Sequence, residues 1–544
     1  MAFTLPYAIT LEVGSSLKNK TGDWRTERPI YLDRLPPCNI ECPAGENIQA
    51  WLGLSQEGKY QEAWEEILHN NPLPAVHGRV CYHPCEDGCN RKQMENPVSI
   101  HAIERFLGDQ ALKNKWSISK AADTGKSVLV VGAGPGGISA AYHLCKMGHK
   151  VTVVDSKPAV GGMLRYGIPS YRLPRDVLDS EVAHIEKMGV TFKFNTRIDN
   201  LAASIKEGGY DAAFLAIGAH IGRSIDIPND GSVTIIEAVK FLSDMETETK
   251  KPELGKKVAV YGGGNTAIDC VRTAVRLGAD DVNLIYRRDR KNMPAHDFEV
   301  VEALEENVKL NELRTIKEMK GGKITLDVME LNAEGWPEST GKTEVIEADT
   351  VIYALGQLVD ASLFNDCTGI DVEKDGVTNV NDQFMTGMQG VFAGGDMIPS
   401  ARTVTTAVGH GKKAARYINA YLKGETYTPA EKHETASFDK LNTWYYEDED
   451  MREQPVLDLK KRTTTFNEVL GDLDEANAQY EARRCMSCGN CFECDNCYTV
   501  CPDNAIIKLG RGNRFQINYD YCKGCGMCVE ECPCGSMLME PEEL

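Results

Sequence analysis

Eight cysteines near the C-terminus fall into two matching runs, Cys491-x2-Cys494-x2-Cys497-x3-Cys501-Pro502 and Cys522-x2-Cys525-x2-Cys528-x3-Cys532-Pro533. No other feature constrains the fold as much. In this spacing three closely set thiolates hold one 4Fe-4S cubane, while the remote fourth cysteine ligates the other. Cys491, Cys494 and Cys497 are therefore expected with Cys532, and Cys522, Cys525 and Cys528 with Cys501, in an α+β domain of the bacterial ferredoxin type. Tetrahedral zinc also accepts Cys-x2-Cys pairs, but two identical runs that each end in Cys-Pro favour cubanes. Cys485 and Cys488 continue the step of three upstream, and the sequence assigns them no ligand role.

The chain has nineteen cysteines. Five lie between Cys38 and Cys89, eleven between Cys485 and Cys534, and only Cys145, Cys270 and Cys367 between those groups. In a large chain whose N-terminus, Met1 to Leu11, lacks a basic segment followed by an apolar core, such density indicates metal rather than disulfides. The N-terminal thiols, Cys38, Cys42, Cys81, Cys85 and Cys89, suffice for one 4Fe-4S site with one to spare, and a zinc site remains open on spacing alone. Between them Ile48 to Leu68 carries apolar residues at helical spacing with a break at Ser55 to Lys59, so a small helical domain is expected.

The length, 544 residues, exceeds what one hydrophobic core supports, so several domains are expected. A net charge of -20 with no basic stripe argues against nucleic acid as a partner. No apolar run approaches the ~18 residues of a membrane span. The expected setting is the cytoplasm.

The middle of the chain carries two nucleotide fingerprints. In the first, the apolar strand Ser127 to Val131 runs into Gly132-x-Gly134-x-x-Gly137, with Pro135 and Gly136 inside the turn, and then a helix. Gly132 permits the tight turn, Gly134 lets backbone approach a pyrophosphate, and Gly137 lets helix and strand pack closely. The next strand, Lys150 to Val154, ends at Asp155, an acid placed to accept ribose hydroxyls. The second fingerprint is strand Lys257 to Tyr261, then Gly262-x-Gly264-Asn265-Thr266-Ala267 and a helix. Its following strand, Val282 to Tyr286, ends in Arg287 and Arg288, with Lys291 nearby. Guanidinium groups there bind a 2'-phosphate, so this site is expected to take NADP(H), unless the pair is a solvated strand end.

A distal segment, Gly390 to Asp396, is a strand ending in a glycine pair and an acid before a helix from Thr403 to Leu422. It is expected to set Gly395 and Asp396 on a flavin, with the helix N-terminus facing the ring. Ala213 to Gly218 and Val351 to Gly356 read as crossover strands between two domains, with the nicotinamide domain inserted into the flavin domain.

These features resemble the glutamate synthase small-subunit-like flavoproteins, which include the large subunit of NADH-dependent ferredoxin:NADP oxidoreductase and the flavin half of dihydropyrimidine dehydrogenase. The match is carried by Cys38 to Gly45, Gly78 to Cys85, Ile103 to Phe106, Gly132 to Gly137, Gly161 to Pro169, Tyr171 to Pro174, Gly262 to Asp269, Tyr286 to Arg288, Met293 to Ala295 and Gly394 to Asp396. The resemblance implies a glutathione-reductase-like α/β fold with two Rossmann-like domains. It also implies FAD along Gly162, Met163, Arg165, Gly167, Gly218 and Thr405, and NADP(H) on the second fingerprint with Gly356. Relatives of this kind begin with a further Cys-x2-Cys pair. None precedes Cys38, so one N-terminal cluster is expected, with Glu104 as a candidate ligand beside the cysteines.

The expected order is an N-terminal helical iron-sulfur domain (1–119), FAD domain (120–228), NAD(P) domain (229–357), FAD domain again (358–425), linker (426–475) and two-cluster ferredoxin (476–544). The charged linker is either a flexible tether or a strap that fixes the head. With three 4Fe-4S clusters, the expected activity is electron transfer between NADP(H) and clusters through FAD. The acceptor would be ferredoxin or an iron-sulfur or catalytic partner subunit in a hetero-oligomer, and no side chain would act as a catalytic base. A glutamate synthase small subunit and a non-enzymatic relay subunit are the alternatives. A disulfide reductase is disfavoured, because neither Cys145 nor Cys270 has a partner at redox-active spacing.

Overall fold

The computed structural model describes residues 18–248, 251–364 and 367–542. The segment Met1 to Leu11 lies outside them.

Two parallel sheets carry the fingerprints. The flavin-side sheet runs Val391–Ala393, Ala212–Leu215, Ser127–Val131, Lys150–Val154, Thr191–Lys193, every pairing parallel. The nicotinamide-side sheet runs Lys309–Glu312, Asp281–Tyr286, Lys257–Tyr261, Thr350–Tyr353, Thr234–Glu237, again all parallel. Both central strands are near-continuous runs of buried Val, Leu, Ala and Tyr, as helices on both faces of a parallel sheet demand. The first sheet takes strands from either side of the second in sequence, so the nicotinamide domain is an insertion. The chain passes between them through the antiparallel pair Gln357–Leu358 and Ile221–Gly222.

Helices Pro135–Lys146 and Val404–Lys423 pack on the flavin-side sheet with little space between them. A Cβ added to Gly411 would lie 2.3 Å from the carbonyl oxygen of Gly136, and the Ser139 hydroxyl donates to the Val408 carbonyl at 2.7 Å. Small residues let the two backbones approach.

The N-terminal region is helical as its periodicity predicts. Its break falls at Glu57–Lys59, since Ser55 and Gln56 still belong to the helix Ile48–Gln56 before Tyr60–Ile67 begins. Two departures follow from contacts distant in sequence. Strand Glu27–Tyr31 leaves the helical domain and pairs antiparallel with Met537–Pro541, completing the ferredoxin region. Helix Glu475–Arg483, placed by sequence with the ferredoxin, instead buries Ala478 and Ala482 in one core with Ile48, Trp51 and Phe106.

Residues 426–475 form a strap rather than a free tether. Leu35 and Glu434–Ala436 exchange backbone hydrogen bonds of 2.8 and 3.0 Å, and the Val469 N–H donates to the Tyr171 carbonyl at 2.9 Å. Arg462 reaches Glu305 at 3.0 Å on the nicotinamide domain, and Tyr446 donates to the Met486 carbonyl at 2.8 Å. Among the described residues no helix is long and apolar enough to cross a membrane.

Candidate functional site

The two glycine turns are built alike. Gly132 has φ of +105°, and a Cβ there would sit 2.3 Å from the Ala216 carbonyl oxygen. Gly262 has φ of +153°, and its Cβ would sit 2.2 Å from the Ala354 carbonyl oxygen. Each first glycine thus presses against the end of the strand that carries the chain toward the other domain. The third position differs in consequence: a Cβ on Gly137 would lie 1.9 Å from the Gly132 carbonyl oxygen, whereas the second motif accepts Ala267. Beside the middle glycines the space is open. A Cβ on Gly134 would meet only the Gly162 Cα at 3.9 Å, and one on Gly264 would meet nothing within 4 Å. Such open space at a helix N-terminus fits a pyrophosphate.

A cavity of about 590 Å³ joins these parts. Gly132, Gly134, Pro135, Gly136, Asp155, Gly162, Met163, Gly167, Gly218, Gly395 and Asp396 line it, together with Asn265 and Thr266 from the nicotinamide side. Asp155 is held by the N–H groups of Ala133 at 2.7 Å and Lys157 at 2.8 Å. Burial pushes the Asp396 carboxyl up to about 6, against the pull of Arg402. Three expected contacts lie elsewhere. Gly137 is packed under its helix. Arg165 turns to the Val160 carbonyl at 2.7 Å and to Asp179 and Glu246. The Thr405 hydroxyl donates to Cys81 Sγ at 3.0 Å.

Gly262, Gly264, Ala267 and Gly356 shape the second turn outside that cavity. Arg287 is exposed and makes no ion pair with the described residues, while Arg288 is half-buried with its Nε unpartnered and its guanidinium 6.0 Å from the Trp336 ring.

Sequence reasoning missed two groups. Val80 and Tyr82 of the N-terminal domain line the cavity on either side of Cys81, and Tyr82 stacks on His296 of the nicotinamide domain with centroids 3.9 Å apart. Arg172, in the segment along the flavin side, pairs with Asp269 at 2.8 Å and Glu299 at 2.5 Å, clamping the two nucleotide domains together. Neither group has a spacing signature, since each joins residues roughly 100 or more positions apart.

The five N-terminal thiols do not form one site with a spare. Helix Pro37–Glu41 separates Cys38 at its start from Cys42 at its end, and the two face different partners. Cys42, Cys81 and Cys85 gather with Glu104 and Glu46. Burial pushes the Cys42 and Cys81 thiols up, Cys81 to about 12, and the two carboxylates add to it. Burial and the Glu46 charge likewise push Glu104 well above the carboxylate range, while Asn71 donates to it at 2.7 Å. Cys38 and Cys89 turn the other way, into a small cavity with Cys485 and Cys488.

At the C-terminus, Cys501 lines one cavity with Cys522, Cys525 and Cys528, and Cys532 faces Cys491, Cys494 and Cys497. Tyr31, from the strand that joins this region, lies 3.2 Å from Cys497 Sγ through its hydroxyl. Among the described residues no three thiols have their Sγ atoms within 4.8 Å of one another. Thiolates on a single zinc at about 2.3 Å would sit about 3.8 Å apart, so the wider spacing fits cubanes.

Three family models match: pyridine nucleotide-disulphide oxidoreductase over residues 126–411, dihydropyrimidine dehydrogenase domain II with its 4Fe-4S cluster over 20–116, and a 4Fe-4S dicluster domain over 490–536. The NADP(+)-dependent formate dehydrogenase subunit beta of Moorella thermoacetica is 36% identical over 504 residues, covering 83% of this chain and 70% of that one. The NADPH-Fe(3+) oxidoreductase subunit beta of Geobacter sulfurreducens is 33% identical, covering 84% and 76%. The glutamate synthase [NADPH] small chain of Escherichia coli is 34% identical, covering 71% and 89%. Cys145 and Cys270 are both buried, and neither is bonded to another cysteine. With the first glycine turn and Asn265 and Thr266 of the second motif lining one cavity, and thiol groups at both ends, the chain belongs to the pyridine nucleotide-disulphide oxidoreductase family as an FAD-dependent, 4Fe-4S-bearing member.

Proposed function

We propose that this chain is the NADP(H)-linked subunit of a larger oxidoreductase and exchanges electrons with an iron-sulfur or catalytic partner through its ferredoxin-like head. One observation carries the reading: a single cavity is lined by the flavin-side glycines, by Asn265 and Thr266 of the nicotinamide side, and by the residues flanking Cys81. Bound there, FAD supplies the exchange between the hydride of a nicotinamide and the single electrons that a cubane carries.

The protein's part is orientation. Asp155 presents a fixed carboxylate to ribose hydroxyls, Gly134 and Gly264 leave room for phosphates at two helix N-termini, and Arg287 and Arg288 offer guanidinium groups to a 2'-phosphate. Tyr82, stacked on His296, closes the cavity from the N-terminal domain and helps exclude water. Thr405 bonds the first thiol beyond it. The relatives named for NADP-dependent formate dehydrogenase and NADPH-Fe(3+) oxidoreductase are beta subunits, which supports the assignment of a partner.

Anaerobic titration tests the reading. NADPH should bleach the flavin absorption and then the broad cluster absorption, with NADH less effective, and the chain should co-purify with a second subunit from its native source. Failure of NADPH to bleach the flavin would overturn it.

A further inference from the structure

Cys485 and Cys488 lie between the two matched iron-sulfur regions, which end at residue 116 and begin at residue 490, so neither accounts for them. From the geometry we propose that they complete a fourth 4Fe-4S site with Cys38 and Cys89, built from opposite ends of the chain.

The four thiols line one small cavity whose remaining walls include Pro36, Leu52, Val98 and Ile100, an apolar enclosure suited to a cluster. Donors point at the sulfurs: Asn90 Nδ2 lies 3.4 Å from Cys488 Sγ and the Ser487 N–H 3.5 Å from Cys485 Sγ. The guanidinium of Arg91 forms part of the wall, and it is held there by Glu95 and by the Arg484 carbonyl at 3.0 Å. A cubane on four thiolates carries net negative charge, which a buried cation offsets. No three of these sulfurs are close enough for one zinc ion.

Packing and hydrogen bonds on the preceding helix hold the pair in place. Helix Glu475–Arg483, immediately before Cys485, is packed in the N-terminal core. The Gln56 amide donates to the Ala482 carbonyl at 2.7 Å, and Arg484 bonds the Pro97 and Asn96 carbonyls at 2.8 Å each. Cys485 and Cys488 are thus held against Cys38 and Cys89.

Position in the chain gives the site its meaning. Cys38 is four residues from Cys42, a helical rise of about 6 Å, and Cys488 is three residues from Cys491, a reach of at most about 11 Å. The proposed site therefore sits between the thiol group beside the flavin cavity and the ferredoxin head.

The test is iron and acid-labile sulfide per chain in the anaerobically purified, full-length protein, with NADPH bleaching of flavin read separately. The proposal expects about sixteen irons per chain, about twelve in Cys485→Ser/Cys488→Ser with unchanged flavin content, and about sixteen in the control Cys367→Ser. About twelve irons in the wild type, or a count that the double variant does not lower, would overturn it. One zinc per chain lost together with the pair would overturn it as well. Should the double variant not fold, the wild-type count decides between sixteen and twelve. Because flavin bleaching by NADPH does not depend on the iron count, failure of this inference is distinguishable from failure of the function proposed above.

Discussion

The hydroxyl of Thr405 donates to the Sγ of Cys81 across 3.0 Å, joining the first turn of helix Val404–Lys423 to the thiol group next to the flavin cavity. Hydrogen bonds to cluster sulfurs raise the reduction potential by stabilising the more negative, reduced state. Thr405→Val keeps the shape and removes the donor. It should lower the potential of one cluster on the order of tens of millivolts while the others stay put, as read by potentiometric titration with EPR. An unchanged set of potentials would remove Thr405 from the path.

Arg287 and Arg288 stand at the end of strand Asp281–Tyr286 without carboxylate partners among the described residues. A charge-assisted contact of about 1.5–3 kcal/mol corresponds to about 10- to 100-fold in affinity. Arg287→Ala and Arg288→Ala together should raise the KM for NADPH by about that factor and leave the KM for NADH nearly unchanged. Parallel changes for both nucleotides would assign the pair to the protein surface.

Gly137 and Gly134 should respond differently to alanine. At Gly137 the new Cβ would collide with the Gly132 carbonyl oxygen at 1.9 Å, both sides being backbone. That variant should lose several kcal/mol of stability, roughly the upper range of overpacking costs, or fail to accumulate. At Gly134 the Cβ meets only the Gly162 Cα at 3.9 Å and φ is -80°, so the chain should fold with near-normal Tm yet bind little FAD. Flavin-to-protein ratio and Tm, measured on both, separate the two roles.

Arg462 anchors the strap to the nicotinamide domain through Glu305 at 3.0 Å and Glu306 at 3.3 Å. Glu306 is fully buried and retains Arg272 at 2.8 Å and Arg276 at 2.6 Å if Arg462 is removed. Arg462→Ala should therefore cost only about 1–2 kcal/mol locally. Glu306→Ala, which strands guanidinium groups in the interior, should cost about 3–5 kcal/mol. Limited proteolysis should show faster cleavage within 426–475 for Arg462→Ala, and differential scanning should show the larger loss for Glu306→Ala.

Local order made most of the machinery legible. A strand, a glycine turn and a helix are contiguous, so each fingerprint could be read from the sequence, and the short, repeated spacing of the ferredoxin runs predicts a cross-ligation with which the placement of Cys501 beside Cys522, Cys525 and Cys528 agrees. The insertion of one nucleotide domain into the other followed from the paired apolar segments ending at Gly218 and Gly356.

What spacing could not supply was the meeting of distant segments. The sequence by itself determined that the chain holds thiol groups at both ends and two nucleotide turns between them. Only the tertiary structure decided that Cys38 and Cys42, four residues apart, face different sites, that Thr405 points at a thiol, and that Cys485 and Cys488 lie against Cys38 and Cys89. The reason is physical. A metal site is selected by where side chains converge in space, and the packing of helix Glu475–Arg483 into the N-terminal core, with Ala478 and Ala482 beside Trp51, delivers that convergence across more than 400 residues of chain.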